Sequence, residues 1–521
     1  MGGGFTVTTP LYYANASPHM GSAYPSIAAD ALARYARLQE PAGSVHFVTG
    51  TDEHGEKIAE SAARAGVATA AHVAAVSSEF RSLWEKLDVR FDHYVRTSAD
   101  AKHQSLVREV VGRVQERGDI YKAAYTGKYC VGCEEFKQEN DLEEGGVCPI
   151  HRTPCEERSE ENYFFRLSKY QEDLEELLAN NPDFVRPEAR RQEVLGWLKD
   201  GARDFSISRA SVEWGIPIPG DDSQTVYVWF DALLGYISAL LAEGEGLEEA
   251  CERGWPAKVH IVGKDILRFH CVYWPAMLMS AGLPLPGGVY GHGFLTKDGL
   301  KMGKSLGNVL DPVELVDTFG ADRIRYFFLK EIDFGSDGDF SEVRFIDTVN
   351  ADLANDVGNC LNRTLNLLKK NCGGLLPIDS SAIVVDHPVR AAAETAVRTY
   401  PRAMDVLDFN MACTSALSIA GKCNLYLSET EPWKAFKSED AADKKLAEET
   451  LVAVLEGMRI LAILLGPVTP TLARDIYQQL GYPEGTFEGQ AWTDTAWGGL
   501  DEGHATERPV PLITRLEKTV V

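Results

Sequence analysis

Pro18-His19-Met20-Gly21-Ser22, close to the start of the chain, is the stretch on which the reading of the fold turns. Thr6-Val7-Thr8 before it reads as a short buried strand. Ser26 to Leu38 after it reads as a helix, with Ile27, Leu32, Tyr35 and Leu38 roughly on one face. The pentad therefore occupies a strand-to-helix turn. Backbone N–H groups and the helix dipole favour a phosphate at such a turn, and Gly21, lacking a side chain, lets a flat ring come close to the backbone. Far downstream stands a second pentad, Lys301-Met302-Gly303-Lys304-Ser305. Each alone has an ordinary explanation: His19 as a capping or core histidine, the lysines as a solvated loop.

The pattern around the first pentad is α/β. Val45-His46-Phe47-Val48 reads as a second strand, ending in Thr49-Gly50-Thr51-Asp52-Glu53-His54-Gly55. Strands and helices alternate through residues 1–115, as in a nucleotide-binding domain built on a parallel sheet. Residues 116–220 change character, with a cysteine cluster and acidic helices, and read as an insertion. Thr225 to Phe230 and Val259 to Gly263 restore the strand pattern, so residues 221–295 supply the second half of the split domain. Residues 296–345 read as a flexible lysine-bearing loop and a small connecting module. Residues 346–521 are helical in pattern and predict an all-α bundle. Leu451 to Leu465 is the most apolar run; Glu456 and Arg459 interrupt it, which favours a buried helix over a membrane span.

Composition narrows the class. The chain has 521 residues, 45% hydrophobic and 25% charged, the balance of a globular protein of several domains. A net charge of −25 argues against nonspecific coating of nucleic acid and allows only a local basic footprint. Met1-Gly2 with Thr6 fits a myristoylation pattern, but Phe5 to Thr9 already reads as core strand. Asn15-Ala16-Ser17 and Asn362-Arg363-Thr364 fit glycosylation sequons without a secretory signal to use them. No presequence precedes the first strand, so one is expected to have been removed if the protein is imported.

Ten cysteines are present, four of them between Cys130 and Cys155. That usage points to a reducing compartment and one metal site. Cys130-x2-Cys133 followed by Cys148-x2-His151 can close a tetrahedral zinc site, with Gly132 and Pro149 favouring the tight turns. With all four positions filled by protein, the metal would be structural. Cys155 in place of His151, or an unmetallated group of thiols, stay open.

The motifs together resemble those of the methionyl-tRNA synthetases, a class I aminoacyl-tRNA synthetase family, from Thr8 to about Gly499. The residues carrying the resemblance are Leu11-Tyr12-Tyr13-Ala14-Asn15, His19-Met20-Gly21-Ser22, Gly50 to Gly55 and Tyr227-Val228-Trp229-Phe230-Asp231-Ala232. Gly263-Lys264-Asp265-Ile266, His270, Trp274-Pro275, the Lys301 pentad and Glu431-Pro432-Trp433 complete it. The flavour is similar to the plant-type organellar branch, which tolerates Ser22 and Gly303. The fold implied is a class I Rossmann-type parallel-sheet catalytic domain, split by a zinc-knuckle insertion and followed by an anticodon-binding bundle. The activity implied is methionine–tRNA ligation: ATP, complexed with Mg2+, and methionine give methionyl-adenylate, and the acyl group passes to methionine tRNA, initiator or elongator.

The resemblance also assigns roles. His19, Lys301 and Lys304 would stabilise the phosphates as charge builds, and Gly21, Ser22, Gly263, Asp265 and Ser305 would complete the ATP site. Ser22 replaces a histidine usual in the family, and Gly303 a serine. Leu11, Tyr13, Asp52, Trp229, Ala232, Tyr236, Ile266 and His270 would hold methionine, Asp52 taking its ammonium group and the rings its thioether. Without the resemblance, those rings would read simply as core. Tyr13 or His270 would donate weakly to sulfur. Leu233 stands where some members carry proline. Arg209 resembles an arginine facing the active centre; its plain alternative is a surface arginine. Asn359, Arg363 and Trp433 would read the anticodon, with Lys369, Lys370, Lys434 and Lys437 for phosphates, though Trp433 alone would read as helix packing. The family points to the plastid stroma or mitochondrial matrix, with cytoplasm otherwise. The chain ends soon after the bundle, which fits a monomer without a membrane. Competing readings are a class I synthetase for leucine, valine or cysteine, for which the insertion is too small or the metal wrongly placed, and a noncatalytic tRNA-binding relative.

Overall fold

The computed structural model describes residues 4–132, 135–137, 142–149, 152–301 and 309–517. The chain divides into two compact units. One comprises residues 1–29, 42–85 and 90–292; the other comprises residues 30–41, 86–89 and 293–521.

The first unit is built on a six-stranded sheet, all parallel. Its strands are β1 (Phe5–Tyr13), β2 (Val45–Asp52), β3 (His93–Arg96), β4 (Val185–Arg186), β5 (Val259–Gly263) and β6 (Val289–His292), in the spatial order β3-β2-β1-β5-β6-β4. Connections leave β1 toward β2 on one side and reach β5 on the other. The strand order therefore reverses between β1 and β5, and the crevice beyond their carboxyl ends is where ligands bind in open sheets of this kind. The β1 register with β2 shifts between Thr8 and Leu11, around Pro10, which has no N–H to give. Beyond the shift, Leu11 lies opposite Gly50 and Tyr13 opposite Asp52. Helix α1 (Met20–Gln39) starts earlier than Ser26 and carries Pro25 inside it, in its second turn, where the ring withholds the N–H that would bond the Gly21 carbonyl. The insertion contributes an antiparallel sheet pairing Ile120–Cys130 with Glu156–Phe165.

Val185–Arg186, inside the stretch 116–220 read as an insertion, pairs with β6 in the main sheet, and a further expectation fails in this unit. Thr225 to Phe230 reads as a continuous strand, but the strand ends at Val226 and helix α3 (Val228–Leu233) begins. The β-branched and aromatic residues of Tyr227 to Phe230 mimic a strand, whereas every one of them except Trp229 is buried on the helix's surroundings.

The second unit opens with a small sheet in which Leu295–Lys297 pairs antiparallel with Leu300–Lys301 and parallel with Gly338–Phe340. Asp298 and Gly299 join the first two strands at φ 52° and 75°, the doubly left-handed geometry of a tight hairpin. The Lys301 backbone thus lies in the second strand of this hairpin, and the rest of the lysine pentad lies outside the described residues. Helices follow, including Cys360–Cys372, Pro388–Asp405, Phe409–Thr430, Ala441–Leu465 and Pro470–Gln479. Leu451 to Leu465 is the buried helix its charges implied: Glu456 and Arg459 pair at 2.7 Å inside it. Among the described residues no helix is long and apolar enough to cross a membrane.

Arg325 is a charged side chain in this unit's core. It is fully buried and donates to Asp30 Oδ2 at 2.5 Å, and to the carbonyls of Val468, Pro467, Leu87 and Asp88. Removing one member of a buried pair leaves the other charge unpaired. Arg325→Ala is expected to lower stability by about 3–5 kcal/mol, read as a shift in the urea midpoint at unchanged slope.

Candidate active site

The first pentad forms the turn from β1 into α1. The Ser22 hydroxyl accepts from the His19 N–H at 3.1 Å and donates to the His19 carbonyl at 2.7 Å. The Ser22 and Ala23 N–H groups donate to the same carbonyl. Ser22 is buried, so its hydroxyl shapes the turn, while the His19 side chain is exposed. Gly21 has a reason beyond ligand approach. Its N–H donates to His19 Nδ1 at 3.0 Å, and an added Cβ would lie 2.7 Å from the imidazole. A glycine there lets the ring fold across the helix start. At the end of β5, a Cβ on Gly263 would collide with the Asp265 carboxylate, so this glycine lets Asp265 sit back over the strand end. His19 directly precedes α1, the helix that follows β1, and Asp265 follows β5, the neighbour of β1 in the sheet. Lys304 and Ser305 lie outside the described residues, as does the Lys301 side chain.

Contacts and register join several of the eight residues assigned to methionine to one another. Register sets Tyr13 beside Asp52. A Cβ on Gly235 would run into Leu11, which puts β1 against α4 (Gly235–Ser238). On α4, the Tyr236 hydroxyl meets His270 Nε2 at 2.8 Å, and His270 Nδ1 meets the Ile266 carbonyl at 3.0 Å. A carbonyl only accepts, so Nδ1 carries the proton and Nε2 accepts from Tyr236. Burial holds His270 at about 4, hence neutral near pH 7. Neutral His270 has no second N–H, so the expected weak donation from it to sulfur is withdrawn; the Tyr236 oxygen can only accept further bonds. Burial raises the Tyr236 phenol, and the charge of Asp52 raises it further.

Trp229 stacks on Phe269, centroids 4.0 Å apart, and meets His270 edge-on at 6.2 Å. Tyr13, Trp229 and Ile266 are half-buried; Leu11, Asp52, Ala232, Tyr236 and His270 are buried. A carboxylate faced by a neutral, largely apolar wall can orient an amino acid by its ammonium group and sort it by its side chain.

Behind this wall lies a layer with no assigned role in the sequence. The Asp231 carboxylate, fully buried, accepts from His54 Nδ1 and from His103 Nε2, each at 2.6 Å. Burial pushes this carboxyl up, but the two imidazoles more than offset it and hold it at about 2. His103, on α2 (Ala101–Glu116), also meets the Ser238 hydroxyl at 2.9 Å. His260 is fixed similarly: Trp274 Nε1 donates to its Nε2 at 3.2 Å, so its Nδ1 donates to Thr8 Oγ1 at 2.7 Å. His54 and Asp231 sit in quoted motifs, but nothing in the spacing points to His103.

Arg209 is buried, its guanidinium 4.2 Å from the Tyr227 ring centroid, with Tyr129 and Phe136 also near. It donates to the Ser208 carbonyl at 2.7 Å and the Ser206 hydroxyl at 3.0 Å. It is no surface arginine. Tyr227 caps α3, so Arg209 braces the start of the helix that carries Trp229.

Of the metal donors, Cys130 and Cys148 are buried, and Cys133 and His151 lie outside the described residues. The Cys155 thiol is raised by burial and then by Cys130 and Cys148 beside it. Buried thiols drawn together in an otherwise polar insertion suit a soft divalent ion such as zinc. Among the described residues no group of three or more His, Cys, Asp or Glu is arranged to hold a metal.

In the second unit, Asn359 ends a π-helical stretch and Arg363 follows one turn on, both exposed. The Arg363 guanidinium lies 5.4 Å from the centroid of Trp433, so two of the three expected anticodon readers touch. Glu431, at φ 42°, turns the chain just before Trp433. Lys434 already pairs with Glu431 at 2.7 Å.

Comparison with known proteins identifies the family. The family model for class I tRNA synthetases (M) matches residues 5–157 and 140–365, and that for the anticodon binding domain of methionyl tRNA ligase matches residues 377–519. The chloroplastic/mitochondrial methionine–tRNA ligase of Arabidopsis thaliana is 54% identical over 98% of this chain and 83% of its own length. The methionine–tRNA ligase of Nostoc sp. is 49% identical over 99% of this chain and 98% of its own. The structure of Mycobacterium tuberculosis methionyl-tRNA synthetase in complex with methionyl-adenylate superposes with a TM-score of 0.92 at 39% identity, covering 98% of this chain and 99% of that one. The chain belongs to the methionyl-tRNA synthetase family.

Proposed function

We propose that this member of the family works as a methionine–tRNA ligase through the residues gathered at the carboxyl ends of β1, β2 and β5. A methionine carboxylate oxygen attacks the α-phosphorus of ATP, the bond to the bridging oxygen breaks, and pyrophosphate leaves. A hydroxyl of the tRNA's terminal ribose then attacks the acyl carbon, and AMP leaves. What supports this reading is that Asp52 lies near enough to Tyr236 to raise its phenol, that Tyr236 bonds His270 and His270 meets Trp229, and that the exposed His19 directly precedes α1, the helix after β1.

The steps divide among residues as follows. Asp52 takes the substrate ammonium, and Tyr13, Trp229, Ile266 and His270 enclose the thioether with Leu11, Ala232 and Tyr236. His19, Lys301 and Lys304 donate to the phosphates as negative charge moves toward pyrophosphate. Gly21 and Gly263 leave room for the nucleotide, Asp265 takes the ribose hydroxyls, and Ser305 completes the lysine pentad. Ser22 acts by holding the turn under His19. Arg209 acts at one remove, through Tyr227. Mg2+ would accompany ATP and neutralise its phosphates when bound. Cys130, Cys133, Cys148 and His151 would hold a structural zinc that pins the insertion.

Asn359, Arg363 and Trp433 would read the unstacked anticodon bases of methionine tRNA, initiator and elongator alike. Trp433→Ala is expected to leave methionine-dependent pyrophosphate exchange unchanged and to cut tRNA charging by about 1–3 kcal/mol, the worth of a stacked base. Similarity to the Arabidopsis enzyme supports a plastid or mitochondrial site of action, although cyanobacterial relatives are nearly as similar. A monomer needs no further surface for this chemistry. Methionine-dependent exchange of labelled pyrophosphate into ATP tests the whole reading; stimulation by leucine and not by methionine would overturn it.

A further inference from the structure

We infer that the buried set His54–Asp231–His103 is a positioning device that fixes the aromatic wall of the methionine pocket against its ammonium anchor. The inference rests on the pocket assignment above. Three elements converge on one carboxylate. His54 stands two residues beyond Asp52, Asp231 two beyond Trp229 and next to Ala232, and Ser238, which His103 holds, two beyond Tyr236. His54, Asp231 and Ser238 are each one short step of backbone behind a residue assigned to the substrate, His103 ties Asp231 to Ser238, and none of the four is more than slightly exposed.

Both Asp231 oxygens are taken by imidazole N–H groups at 2.6 Å, which fixes the proton on His54 Nδ1 and on His103 Nε2. Each of those bonds is directional, so α3 can neither rotate nor slide without breaking one. A hydrophobic layer of equal volume would fill the same space without fixing the register of α3. A lone carboxylate buried this deeply is unfavourable unless paired; here the pairing also spans β2, α2 and α3. The Trp214 ring closes the outer side: it meets His54 edge-on at 6.0 Å and donates from Nε1 to the Glu53 carbonyl at 2.6 Å. A misplacement of roughly 1 Å in such a site costs about a hundredfold.

His103 separates positioning from contact, because it is fully buried on α2 and cannot touch a ligand. In pyrophosphate exchange with the full chain, His103→Leu is expected to raise the KM for methionine about tenfold or more while the KM for ATP stays within about twofold. His103→Gln, whose amide can again donate to Asp231, is expected to recover most of the methionine KM. If His103→Leu does not fold, Asp231→Asn should show the same split, since it keeps the shape and withdraws the charge. An unchanged methionine KM in His103→Leu, parallel changes in both KM values, or no recovery in His103→Gln would overturn the inference. So would loss of folding in both His103→Leu and Asp231→Asn, which would make the set a support of the domain and not of the pocket. A wild-type chain without methionine-dependent exchange would instead fail the reading of the reaction.

Discussion

Lys304→Ala is expected to slow adenylate formation by about two to three orders of magnitude, with the methionine KM nearly unchanged. The reasoning starts from charge. As the carboxylate attacks, the electron pair of the breaking P–O bond passes to the bridging oxygen of the departing pyrophosphate, and a donor placed where that charge develops is worth about 3–4 kcal/mol. His19 donates at most one proton from one face of the phosphates, and the residue that other members place at position 22 is here a serine whose hydroxyl is committed to the His19 backbone. No second imidazole shares the load at that turn, so the lysine carries a larger part of it. Single-turnover formation of methionyl-adenylate reads the loss directly. An unchanged rate would remove Lys304 from the chemistry.

Asp52→Asn is expected to raise the methionine KM about a hundredfold, with a much smaller effect on the ATP KM. The carboxylate is buried, stands beside Tyr13 in the register of β1 and β2, and is near enough to Tyr236 to raise its phenol. In the proposed site its countercharge is the substrate ammonium. Truncating one side of a buried charge pair costs about 2–5 kcal/mol, most of it in binding. An amide there can still accept a hydrogen bond, so residual activity at saturating methionine is expected. Equal losses toward methionine and ATP would show that Asp52 shapes the site and does not anchor the amino group.

The sheet was legible because its strands are short apolar runs at the places where glycine and acidic turns stop them, and a parallel sheet buried on both faces needs such runs. The two pentads and the aromatic residues were legible as motifs. What they do to one another was not. Tyr227 to Phe230 looks like a strand because the same β-branched and aromatic residues suit a buried helix turn, and only tertiary contacts decide. The tautomer of His270 follows from the Ile266 carbonyl, one helical turn away, which no spacing rule would single out. Ser22 looked like a weakened ligand and is a clasp for the turn. His103 lies on an ordinary amphipathic helix, and its bond to Asp231 joins residues 128 apart in sequence. Long-range partners of this kind leave no periodic trace.

The central claim is that the imidazole at position 19 and the ammonium at position 304 serve the same phosphates. A double-mutant cycle on His19→Ala and Lys304→Ala, read in single-turnover adenylate formation, tests it most directly. Groups acting on one transition state lose far less together than the product of their separate losses, and that shortfall is the result expected here. Losses that multiply in full would place the two side chains in independent roles and contradict the account.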